Sequence, residues 1–97
     1  MILVTGSIVA KPGRFDEALA FAREHVALSR AEHGCIGHEV FRDPDDPMRL
    51  FFFERWSSLE ALQTHFAAAK ARGFSASVHE VAAASEIQLY EARETRA

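Results

Sequence analysis

"CIGHEVFRDPDDPMRLFFFERW", residues 35–56, decides the fold. Its first part, "CIGHEVFR" (35–42), reads as a strand, and "DPDDP" (43–47) stops it with proline and aspartate. "MRLFFFERW" (48–56) resumes as a second arm, so the stretch is a β-hairpin. Successive side chains of a strand point to opposite faces. The second arm therefore places Leu50, Phe52 and Trp56 on one face and Phe51 and Phe53 on the other. A strand that is apolar on both sides needs cover on both sides.

Upstream, "ILVTGSIVA" (2–10) has the same character, with Ile2, Val4 and Ile8 opposite Leu3 and Val9, and "KPG" (11–13) ends it. From about residue 14 to 32, Phe15, Leu19, Ala22 and Val26 recur at helical spacing, and Gly34 stands where a helix stops. Downstream, Ser57 or Ser58 caps a helix that runs to about Arg72, with Glu60 in its first turn. Its expected inner stripe is Leu59, Leu62, Phe66 and Ala69. Gly73 interrupts, 74–85 reads as a further short helix, and 86–92 closes as a strand.

The order is β-α-β-β-α-β, an α+β, ferredoxin-like antiparallel sheet with helices on one face. A single copy would leave one apolar row of the hairpin arm wet, which predicts a homodimer through the open sheet face. Residues 1–93 form one domain in this reading, with a frayed tail at 94–97.

Composition narrows the function classes. The 97 residues are 48% hydrophobic, enough for a real core in a short chain. A net charge of −3 with scattered cations offers no basic stripe for nucleic acid. No apolar run reaches the roughly 18–20 residues of a membrane span, and the opening segment reads as a strand instead of a signal peptide. The single cysteine, Cys35, excludes an internal disulfide and fits a cytoplasmic location.

Gly34-Cys35 at the start of the second strand, the Asp-Pro hairpin, Glu54 and Trp56 ending the third strand, Glu60-Ala61-Leu62, His65 and the opening "KPGRFDEAL" together resemble the antibiotic biosynthesis monooxygenase (ABM) domain family. The resemblance covers essentially the whole chain and implies a dimeric α+β barrel. Relatives include cofactor-free quinol and anthrone-type monooxygenases, haem-degrading oxygenases and enzymes acting on phosphorylated autoinducer-2 sugars. The haem-degrading branch has tryptophan at the position of His65 and a histidine ligand at that of Ser75, so haem is not expected here. Quinol-type relatives carry further polar groups where this chain has Ala68 and Lys70. Either this branch works with fewer polar groups or the activity is lost.

Cofactor-free oxygenation needs an apolar cavity, a proton acceptor and donors that steady an anion. Three candidates for that chemistry are His65, Trp56 and His38. Trp56 could stack on a planar ligand or be a core residue, and His65 could sit at the cavity edge or cap backbone. His38 lies mid-strand, where a polar side chain needs a partner. Substrate-binding candidates are Phe52, Glu54, His25, Tyr90 and Phe66. Glu54 is a base or an orienting partner, and Tyr90 a phenol donor or simple packing. Arg42 and Arg55 could hold an anionic group but suit a solvated rim, and His33 and His79 look like surface residues. The five histidines lack H-x-x-x-H or H-E-x-x-H spacing, so no metal site is expected, nor any other bound cofactor.

The leading expectation is a cofactor-independent monooxygenase for a small aromatic or quinol-like substrate. The alternatives are an isomerase of a phosphorylated sugar or autoinducer-2-type metabolite, and a non-catalytic dimeric ligand-binding module.

Overall fold

A computed structural model describes residues 1–97. The elements are β1 (Ile2–Ala10), α1 (Phe15–Arg30), β2 (Cys35–Arg42), β3 (Arg49–Trp56), α2 (Leu59–Ala71), α3 (Phe74–Val81) and β4 (Ala82–Glu91). The strands form one antiparallel sheet in the order β2-β3-β1-β4, which is the ferredoxin-like arrangement expected. No helix is long and apolar enough to cross a membrane.

Register assigns the faces. Ile2, Val4, Gly6 and Ile8 of β1 stand opposite Trp56, Glu54, Phe52 and Leu50 of β3. This row looks toward the helices, and all of it except Gly6 is buried. Phe51 and Phe53 therefore lie on the open face with Phe41, which is 53% exposed.

Two elements differ from the sequence reading. The third helix ends at Val81 instead of residue 85, and β4 begins at Ala82. The alanine-rich run has good helix propensity, but Ala82 is extended and pairs with Ala10, and Lys11 N–H donates to Val81 C=O at 2.8 Å. Ladder bonds to β1 outweigh local preference.

The inner face of α2 is also turned by one position. Ala61, Leu62, His65 and Ala69 are buried, whereas Leu59 is 49% and Phe66 37% exposed. Two small alanines flank His65 along the i, i+4 row, which lets the helix approach the sheet closely enough for the imidazole to take the central place. Ser58 caps this helix, its hydroxyl oxygen accepting the Ala61 N–H at 3.1 Å.

The apolar core comes in two parts. Ile8, Ala18, Ala22, Val26, Leu50, Phe52 and Val81 pack beneath α1 and α3. Ile2, Val4, Trp56, Ala61 and Leu62 pack beneath α2. Between them runs a polar seam that belongs to the site.

Gly34 fastens the entry of β2 to α2. Its φ is +83°, and a Cβ there would stand 2.5 Å from Ala61 Cβ and 2.8 Å from Ser57 Oγ. Gly13 has a similar φ of +77° with open space around it. Gly34→Ala is expected to cost about 2–4 kcal/mol, left-handed strain plus overpacking, and Gly13→Ala about 1–2 kcal/mol from strain alone. Urea unfolding of the two variants measures the difference; equal losses would mean that the contact with α2 is unimportant.

Candidate functional site

Four elements bring polar side chains into the seam. His25 projects from α1, His38 from β2, Glu54 and Trp56 from β3, and His65 from α2. All five are buried; His38 and Trp56 are completely so. On β3 the residues alternate through the core as Phe52, Glu54, Trp56, so the carboxylate sits between two aromatic rings. His38 packs edge-on to both Phe52 and Trp56, with ring centroids 6.4 Å away in each case.

Glu54 Oε1 is the hub. Trp56 Nε1–H donates to it at 3.0 Å. His38 Nε2 lies 3.2 Å from the same oxygen, within ion-pair distance but off the line of a hydrogen bond, and His65 Nε2 lies 3.7 Å away. Burial works to raise the Glu54 pKa. The adjacent His38, the indole N–H and His65 more than offset it, so the carboxyl is held below its ordinary value. The other nitrogen of His65, Nδ1, meets Glu32 Oε1 at 2.7 Å.

His25 behaves differently. Burial, followed by the charges that His38 and His65 can carry, pushes its pKa down to about 3. Its ring stacks on Phe74 at 3.7 Å between centroids, and Arg72 Nη2 approaches Nδ1 at 3.4 Å. The nitrogens of His25, His38 and His65 that face one another all lie within 4.8 Å. Residues without metal-ligand spacing along the chain are thus neighbours in space, and chain spacing alone is not a sufficient ground for excluding a metal.

A cavity of about 400 Å³ opens on this seam between the sheet and α3. Ile8, Phe52, Phe74, Val78 and Ile87 give it apolar walls, and His25, Glu54, His79, Glu86 and three serines supply polar groups. Gly6, in the middle of β1, lines it too. A Cβ at Gly6 would make only ordinary contacts, the nearest at 3.4 Å, so the missing side chain is what keeps this space open.

Of the residues singled out from sequence, His25, Phe52 and Glu54 reach the cavity, and His38, Trp56 and His65 form the layer behind it. For Trp56 the structure selects the core alternative, and His65 takes a place that neither expectation described. Trp56 has no face free for a ligand, and its indole N–H is already given to Glu54. His65 is 2% exposed and lies inside, not at a cavity edge. Phe66 and Tyr90 leave the site. Phe66 lies on the outer side of α2, because the buried stripe is turned by one residue. Tyr90 pairs with Leu3 on the open face, and its hydroxyl donates to Gln88 at 2.7 Å.

Arg42 stacks over Phe15 and Arg55 lies against Gly37, both away from the cavity. His79, read as a surface residue, lines the cavity from α3 while remaining exposed. Sequence reasoning missed Glu32, Phe74 and Gly6. Only Gly6 carried a signal, as an isolated glycine within a strand.

Fold and site together define a class: a small ferredoxin-like α+β protein with an apolar cavity backed by buried histidines and a carboxylate. The chain belongs to the antibiotic biosynthesis monooxygenase family, whose model matches residues 1–77. It is 32% identical over 96 residues to the uncharacterized protein sll1783 of Synechocystis, covering 98% of this chain but only 65% of that protein's length. It is 30% identical over 84 residues to "Putative monooxygenase YcnE" of Bacillus subtilis, covering 87% of this chain and 88% of that one. Among solved structures, a "putative antibiotic biosynthesis monooxygenase" from Deinococcus radiodurans superposes with a TM-score of 0.88 at 25% identity, over 100% of this chain and 97% of that one.

His25 also predicts a pH response. Its folded-state pKa, about 3, lies below its ordinary 6.5, so the unfolded chain takes up the extra proton between these values. Stability from this group is complete above about pH 6.5 and is lost as the pH falls toward about 3. In chelator-treated protein, the unfolding free energy should drop on acidification, with up to about 1.4 kcal/mol per pH unit coming from this residue. His25→Gln should remove that part of the slope, and an unchanged slope would show that His25 is not the group responsible.

Proposed function

We propose that this chain oxidises a small, planar, electron-rich aromatic substrate of quinol or anthrone type with molecular oxygen. The observation that carries this reading is the pairing of an apolar, aromatic-walled cavity with a carboxylate favoured in its ionised form, Glu54, and a neutral imidazole, His25. Phe52 and Phe74 offer faces and edges to a flat ring. Glu54 accepts the proton of an acidic O–H or C–H group, which leaves the anion on the substrate, and the groups behind Glu54 hold its carboxylate in place.

Deprotonation makes the substrate electron-rich enough to reduce oxygen itself. In an anthrone-type case a CH2 between two rings becomes C=O, taking one oxygen atom, and the second leaves as water. The substrate supplies the electrons, so this chemistry calls for no flavin and no haem. Trp56 and His65 then act as positioning residues, through the hydrogen bond to Glu54 and the Glu32–His65 contact.

The test is oxygen uptake by metal-stripped protein offered hydroquinones and anthrones. Glu54→Gln is expected to lower kcat by roughly 10²–10⁴-fold, the range for loss of a general base. Gly6→Val should narrow the cavity beside Phe52 and lower turnover while the fold persists. Exchange of substrate protons without oxygen consumption would replace this reading with the isomerase alternative, and undiminished turnover in Gly6→Val would place the reaction elsewhere.

We infer also that a second copy covers the open face, where Phe41, Phe51 and Phe53 form an apolar row. Sedimentation should give a dimer at micromolar concentration and a folded monomer for Phe53→Glu. A monomeric wild type would exclude this pairing.

A further inference from the structure

The seam holds a set of donors arranged as oxidation of an organic substrate does not require. The ring centroids of His25, His38 and His65 are separated by 5.2 Å (His25–His38), 5.2 Å (His25–His65) and 5.6 Å (His38–His65). Their planes are mutually inclined by 79°, 49° and 62°, splayed instead of stacked. Three imidazoles on one tetrahedral ion, each bound through a nitrogen at about 2.0–2.1 Å, hold their centroids about 5.2 Å apart. The rings already stand at that separation.

His38 gives an independent indication. Its side chain is completely buried, Nδ1 has no hydrogen-bond partner, and Nε2 faces the Glu54 carboxylate at 3.2 Å off the line of a hydrogen bond. An ion at Nε2 would engage a lone pair that no N–H donor now meets. Glu54 Oε1, 3.2 Å from His38 Nε2 and 3.7 Å from His65 Nε2, is placed as a fourth donor.

The surroundings match a bound cation. The Glu32 carboxylate at His65 Nδ1 keeps a proton on that nitrogen and turns the Nε2 lone pair inward, as outer-layer carboxylates do for metal-bound histidines. Glu32 and Glu54 together balance a divalent charge. Arg72 opposes it, since its guanidinium contacts His25 Nδ1, but at 3.4 Å and from an exposed side chain it can withdraw.

We propose that His25, His38 and His65, completed by Glu54, bind one divalent first-row transition ion of the kind that prefers imidazole, such as zinc, cobalt, nickel or copper. The nitrogens now lie within 4.8 Å of one another and close to about 3.3 Å around an ion by rotation of the rings, without movement of the sheet. The site concerns binding alone and stands whether or not the chain is an oxygenase.

The experiment titrates cobalt(II) into chelator-treated full-length protein without substrate, following visible absorption, and then displaces it with zinc. One ion per chain with the intense bands of four-coordinate cobalt is expected. His25→Phe, which can still stack on Phe74, should weaken binding at least 100-fold with the thermal melt retained. Glu32→Gln should weaken it by about 10–100-fold, Arg72→Ala should tighten it several-fold, and His33→Ala, at an exposed position, should leave it unchanged. His38→Gln is a second ligand test if it folds, and His25→Phe decides the matter if it does not. No saturable binding by folded wild type, or binding that survives His25→Phe, would overturn the proposal.

Discussion

A carboxylate in the middle of a hydrophobic core must be matched by donors, and meeting that requirement organises this molecule. Glu54 occupies a strand position that alternation would give to an apolar residue, between Phe52 and Trp56. Left alone there, its charge would cost several kcal/mol. One indole N–H and two imidazoles converge on a single oxygen instead, each brought by the packing of β2, β3 or α2. The division of the core into two apolar parts follows, because these groups need the space where the parts would otherwise merge.

That arrangement separates two tasks. The outer groups, Glu54 and His25, line the cavity. The inner ones, His38, His65 and Trp56, are sealed behind them. A sealed layer is preorganised: its dipoles need no rearrangement when charge develops in front of them. Aromatic residues in the stretch 49–65 are divided accordingly. Phe51 and Phe53 belong to the open sheet face, Phe52 to the cavity wall and Trp56 to the support behind it.

Much of this was legible in the sequence, and the reasons are physical. The hairpin and the order of elements could be read because apolar residues alternate cleanly and Pro and Gly punctuate them. The family resemblance followed from Gly34, Glu54, Trp56 and His65. The start of β4 was not legible, since alanine favours a helix locally and only the distant ladder to β1 makes Ala82–Ala84 extended. The stripe of α2 was displaced by one residue because Ala61 and Ala69 are small and carry little hydrophobic signal, yet their smallness is what seats His65. His25, His38 and His65 were each legible as site candidates, but the close cluster they form was not, because three elements meet there through tertiary packing and not through spacing.

The pairing of β1 has a consequence for how the chain comes to be folded. β1 is hydrogen-bonded on one side to β3 and on the other to β4, from Ile2 opposite Glu91 to Ala10 opposite Ala82. β1 must therefore wait for β4 before both of its edges are satisfied. Contacts so distant along the chain slow folding, because loop closure is paid before the bonds form. While the C-terminal strand is still being synthesised, an apolar edge of β1 and the unfinished wall at Ile87 remain open to other chains. Completing the cavity and removing that adhesive edge are one and the same event.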